Sequence, residues 1–111
     1  MKIIYQNILP PRGFSAMQFC GIILARTECK PISERTINHE KIHAAQAYDF
    51  KIPVLRWVIY YVVYLYQWAH VGFDYMENPM ELEAYENERN LDYLETRVPF
   101  AWKQYIKNMS A

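Results

Sequence analysis

Ser33-Glu34-Arg35-Thr36-Ile37-Asn38-His39-Glu40-Lys41-Ile42-His43-Ala44-Ala45-Gln46-Ala47-Tyr48-Asp49, residues 33–49, is the stretch on which the fold turns. Ser33 is the kind of residue that caps a helix N-terminus, and Glu34 suits the positive end of a helix dipole. Ile42, Ala45, Gln46 and Phe50 fall on or near one stripe at helical spacing. The segment is therefore predicted as a helix from about Ser33 to Asp49. On such a helix His39 and His43 stand one turn apart on one face, with Cβ atoms about 6 Å apart. Glu40 is turned by about 100° from His39 around the axis.

Two imidazoles at that separation reach one tetrahedral Zn²⁺ at about 2.0–2.1 Å. Glu40 then stands beside the metal rather than on it. There it can take a proton from a water whose pKa the metal lowers towards ~7, and deliver it to a leaving amine. His-Glu-x-x-His arises by chance on the order of once in a few hundred chains of this length. The bland reading is an exposed helix with two solvent-facing histidines. Small Ala44, Ala45 and Ala47, which allow close packing, weigh against it.

A catalytic zinc usually has three protein ligands and a water. The chain has three histidines, and His70 lies alone in an aromatic stretch. Downstream, Glu81, Glu83, Glu86 and Glu88 crowd a segment that opens at Pro79, a residue suited to a first helical turn. Met80, Ala84, Asn87, Leu91, Leu94 and Val98 repeat there in steps of four and three, predicting a helix to about Arg97. Glu81 and Glu83 flank this stripe on opposite margins, and helical projection leaves both open as the third ligand.

Asn38-His39-Glu40-Lys41-Ile42-His43-Ala44-Ala45-Gln46 followed by Asn78-Pro79-Met80-Glu81-Leu82-Glu83-Ala84-Tyr85-Glu86-Asn87-Glu88 resembles the gluzincin branch of the zincins, above all its small single-domain members, the minigluzincins. The resemblance covers roughly half the chain. It implies a zincin-like α+β fold, a short and largely antiparallel sheet followed by three to four helices with the motif on the first long one. It implies zinc held by His39, His43 and a glutamate of the later helix, with Glu40 as general base. In several gluzincin-like families a small residue follows the ligand glutamate by three positions. Glu81 with Ala84 fits that spacing, whereas Glu86 occupies the place after Glu83, so Glu81 is the expected third ligand and Glu83 the alternative. Where an aspartate often stands four residues after the ligand, orienting a histidine, this chain has Tyr85; Asn87 holds the corresponding place after Glu83. In zincins an edge strand also binds the peptide by strand addition, and residues 17–26 are the candidate.

The rest of the chain supplies the frame. Lys2–Tyr5 and residues 14–26 read as two or three short strands, with a bulge or bend at Gly21 and a loop at Pro10-Pro11-Arg12-Gly13. A second helix is expected from about Pro53 to Val71, breaking at Gly72, and a short last one from about Phe100 to Asn108. Trp57–Tyr66 is the most lipid-like run, about half the ~20 residues of a spanning helix. A core helix is the first reading and docking on a membrane surface the second. Its tyrosines 60, 61, 64 and 66 offer an oxyanion donor, although most must be core and rim. Gln46 and Asp49 read as packing or capping residues, with contacts behind the metal ligands as the alternative. His70 reads as packed among aromatics.

At 111 residues the chain reads as one domain, 1–111. Its aromatic residues, 16% of the total, favour a packed globule. Twelve basic and twelve acidic side chains cancel, which leaves no field to gather nucleic acid. Cys20 and Cys29 read as reduced, packed cysteines. Met1–Asn7 lacks the apolar run of a secretory signal, so a cytoplasmic location is expected. The leading expectation is zinc-dependent hydrolysis of a peptide or protein substrate. The alternative is a zinc-binding interaction module without turnover, and a membrane-associated or oligomeric structural protein is the third.

Overall fold

A computed structural model describes residues 2–106 of the chain. The fold is α+β, and among the described residues it has a three-stranded sheet and four helices. Strands β1 (Ile3–Gln6), β2 (Ala16–Phe19) and β3 (Ile22–Arg26) are arranged in the order β1-β3-β2. β2 and β3 form an antiparallel hairpin, with Ala16 opposite Ala25 and Phe19 opposite Ile22. β1 runs parallel to β3, Ile3 opposite Ile23.

The sheet is thus mixed rather than largely antiparallel. The hairpin turn is Cys20-Gly21, both at positive φ (50° and 93°). Two such residues give a turn whose twist matches the flanking strands. Gly21 is part of that turn, not a bulge. Cys20 is exposed at the tip instead of packed, and both cysteines are free. Since β3 is central, only the β2 half of residues 17–26 lies at the sheet edge.

Helix α1 (Glu34–Tyr48) starts where expected, with the Ser33 side chain accepting from Thr36 N–H. Ile42, Ala44 and Ala47 are buried beneath it. Helix α2 spans Arg56–His70, three residues later than Pro53 suggested, because Pro53, Val54 and Leu55 form a turn. It packs Tyr60 with Ala47, Met80 and Trp102 into one core cluster. A second cluster, Ile23, Ala25 and Ile32, lies against the sheet. No helix among the described residues is long and apolar enough to cross a membrane.

Helix α3 (Pro79–Asn87) carries the Asn78 cap, whose side chain accepts from Met80 N–H, and has Pro79 in its first turn. It stops at Asn87 instead of continuing to Arg97. A separate short helix α4 (Tyr93–Thr96) follows, and Leu91 and Val98 of the expected stripe are exposed. The side-chain amide of Asn38 on α1 provides the reason. It donates to the carbonyls of Asn87, Glu88 and Asn90 at 3.3, 2.9 and 3.0 Å, taking over the acceptors a continuing helix would use. A 3-10 helix over Ala101–Tyr105 replaces the start of the expected last helix. The positions assigned to that helix after Ile106 lie outside the described residues.

Candidate metal centre

Where α1 crosses α3, three side chains meet. Glu81 Oε1 lies 3.1 Å from His39 Nε2 and 3.0 Å from His43 Nε2, and the two nitrogens are 3.2 Å apart. All three residues are buried, and together they form a group that could hold a metal ion. The triangle can be tested against coordination geometry. Ligand atoms about 2.0–2.1 Å from a tetrahedral centre stand roughly 3.3 Å from one another. The sides of this triangle fall just inside that value, so the donor set fits a small tetrahedral cation with little movement.

The outward ring nitrogens are also committed. His39 Nδ1 donates to Glu88 Oε1 at 2.8 Å, and His43 Nδ1 donates to Gln46 Oε1 at 2.9 Å. A neutral imidazole with its proton on Nδ1 presents a lone pair on Nε2, the atom aimed at the triangle. Each acceptor is itself held. Glu88 pairs with Arg35 at 3.1 Å. Gln46 donates to the Met80 carbonyl at 2.8 Å and to Glu83 Oε1 at 3.0 Å.

Without a cation, the group is an ion pair. Burial disfavours the charged form of His43, but the adjoining Glu81 carboxylate outweighs it and lifts the imidazole to about 9. Burial pushes Glu81 upward too, yet His43 and His39 hold its carboxyl well below the usual range. Tyr64 of α2 donates from its hydroxyl to Glu81 Oε2 at 2.7 Å. Burial and the Glu81 charge push that phenol far up, so it stays protonated.

Glu40 sits beside the triangle, outside it. Its Oε1 accepts from the backbone N–H of Gln18 on β2 at 2.7 Å, which ties α1 to the sheet edge. Burial pushes the Glu40 carboxyl above its ordinary range, opposed by His43 and His39. Arg26 N–H donates to the Ser15 carbonyl at 3.0 Å, so antiparallel alternation turns the main-chain groups of Ala16 and Gln18 away from β3. Ala16 therefore offers its N–H and C=O at the open edge, next to Glu40.

Two clefts meet at this point. One, of about 880 Å³, reaches Glu40, His43 and Glu81; the other, of about 260 Å³, reaches Glu40, His39 and Glu88. Phe14, Ala16 and Tyr75 border both.

No protein-family model, no curated protein and no solved structure matches the chain. The site therefore speaks through its own geometry.

The structure brings His39, Glu40, His43 and Glu81 together. Glu83 is fully buried on another side of α3, where it accepts from Tyr93 at 2.7 Å and pairs with Arg97. Asp49 pairs with the same guanidinium through two 2.9 Å bonds, so it is a packing residue. Gln46 is not merely packing, since it orients His43. Tyr60 is core and Tyr66 is exposed. Tyr61 reaches the Gln18 carbonyl at 3.4 Å, and Tyr64, expected as a candidate oxyanion donor, commits its hydroxyl to Glu81 instead. His70 is exposed and stacks on Tyr66, away from the centre.

Sequence reasoning missed two residues. Tyr75, at the junction of the clefts, lies in a 3-10 turn that no periodicity marks. Glu88 was one of four downstream glutamates. Its spacing of seven from Glu81, two helical turns, was the available signal.

Proposed function

We propose that this chain is a zinc-dependent peptidase, with His39, His43 and Glu81 as metal ligands and Glu40 as general base. The observation that carries the reading is the convergence of two Nε2 atoms and one carboxylate oxygen on a single point, with a further buried carboxylate beside it. Both Nδ1 atoms are occupied by acceptors, which is how metal-binding histidines are usually oriented. The resemblance of residues 38–46 and 78–88 to gluzincins supports zinc rather than another cation.

A zinc ion bound there supplies a Lewis acid that lowers the pKa of water towards ~7 and polarises a carbonyl. The chain's own residues do the rest. Ala16 offers main-chain groups for an extended peptide, which would lie across Glu40 with one flank in each cleft. Glu40 takes a proton from the attacking water and gives it to the amine as the amide C–N bond breaks. Tyr64 holds Glu81 in place through its second oxygen.

A non-hydrolytic zinc module is the competing reading. Its support is the Glu40 Oε1 already committed to the Gln18 amide. Glu40→Gln separates the two: under the peptidase reading the variant keeps one zinc per chain and loses hydrolysis. Wild-type protein that binds one zinc and cleaves no peptide in a mixed-sequence library would leave only the module.

A further inference from the structure

The two clefts differ in more than size. In the wall of the larger one, the ionisable carboxylate and imidazole groups are Glu40, His43 and Glu81, all at the metal end. Away from that end the wall is apolar or aromatic apart from Gln18, whose amide is committed to Gly21 N–H and the Tyr61 hydroxyl; Met17, Tyr61 and Trp68 are half-buried there, and Phe14 and Leu65 are each 54% exposed. The smaller cleft instead carries Arg35, Thr36, Ser15 and Glu88.

Volume decides what the larger cleft is built for. About 880 Å³ lies near the top of the range of about 300–1,000 Å³ that whole drug-sized ligands fill. One amino-acid side chain would leave most of it as water against apolar wall, the arrangement that hydrophobic burial opposes. An occupant that runs from the metal end to Leu65 meets no charge on the way. Arg26 fixes one part of the wall, since its guanidinium donates to the carbonyl of Pro10, a lining residue, at 2.9 Å.

We propose that the larger cleft selects substrates by an extended apolar chain, longer than one side chain, joined directly to the amide at Glu40. A fatty acyl group and a run of apolar residues share this chemistry. The inference rests on the peptidase reading for its amide, but the cleft's preference is measurable without turnover.

The test uses zinc-loaded Glu40→Gln protein and two probe series, each kept below its micelle concentration. One series is N-acyl glycinamides from acetyl to decanoyl; the other is blocked glycinamides carrying one, two or three leucines. Calorimetry should show affinity rising about fourfold per added methylene until the cleft is full. Leu65→Glu, at an exposed position of the wall, should abolish the dependence. Val58→Glu, on the same helix but outside the wall, should leave it. A slope that continues beyond the length of one side chain in either series supports the proposal, the series that shows it names the source, and a slope that ends at that length overturns it. Affinity independent of length, a slope that survives Leu65→Glu, or one that Val58→Glu removes would each overturn it. Hydrolysis by the wild type with flat binding sinks the cleft's role alone. Length-dependent binding without cleavage of any amide sinks the peptidase reading alone.

Discussion

His39 donates from Nδ1 to Glu88 Oε1 over 2.8 Å, and Glu88 is the residue that caps α3, seven positions beyond Glu81. One short helix and its C-terminal cap therefore supply both the carboxylate that meets the two Nε2 atoms and the carboxylate that accepts from His39 Nδ1. Tyr85, one turn before Glu88, packs its ring edgewise on His39 at 4.5 Å. The carboxylate that His39 meets is instead that of Glu88, three residues after Tyr85. Glu88→Ala is expected to keep the fold and weaken zinc binding about 10–100-fold. Glu88→Gln, which retains an acceptor, should lose less. Competition with a chromogenic chelator measures both.

Glu40→Gln addresses the proposed base directly. The amide still accepts from Gln18 N–H but takes no proton. Zinc stoichiometry should be unchanged, while kcat for any peptide the wild type cleaves falls by about 10²–10⁴. Activity within a few-fold of wild type would remove Glu40 from the reaction.

Glu81 and Glu83 illustrate what a sequence can and cannot separate. Both are buried on α3, and helical projection left them on opposite margins of one stripe. Their partners divide them. Glu81 faces two imidazoles, and Glu83 faces Arg97, Tyr93 and Gln46. Glu81→Ala should abolish stoichiometric zinc binding with a folded circular-dichroism spectrum. Glu83→Ala should lower unfolding stability by about 3 kcal/mol, because it strips a buried guanidinium of one of its two carboxylates. If Glu83→Ala loses zinc while staying as stable as wild type, the assignment is reversed.

The local signals were legible because their causes are local. Ser33, Asn78 and Pro79 mark helix starts by chemistry that needs only the next turn. The spacing of His39 and His43 places both on one face wherever α1 packs. The parallel pairing of β1 with β3 had no such signature, since it joins Ile3 to Ile23 across the hairpin turn and the loop before it. The false continuation of α3 has the same origin. The apolar stripe persists past Asn87, but Asn38, on a different helix, takes the carbonyls that would have carried it on. Asn38→Leu tests that account. With those acceptors left unpaired or hydrated, the variant should lose about 2 kcal/mol of stability, and hydrogen exchange should quicken across residues 87–93.

Metal loading should act on the whole molecule, since the candidate ligands come from two helices distant in sequence. A cation that binds the folded chain alone stabilises it by mass action, by about 2.7 kcal/mol when free metal is a hundred times its Kd. The gain has a local component to overcome, because His43 and Glu81 already attract one another without metal. Zinc must displace that contact and the proton His43 holds, so only the excess over the existing ion pair appears as stability. A thermal scan should therefore show Tm rising with free zinc, returning on addition of a chelator, and failing to respond in Glu81→Ala. A Tm that ignores zinc in the wild type, at concentrations where one zinc per chain is bound, would place the metal elsewhere than at His39, His43 and Glu81.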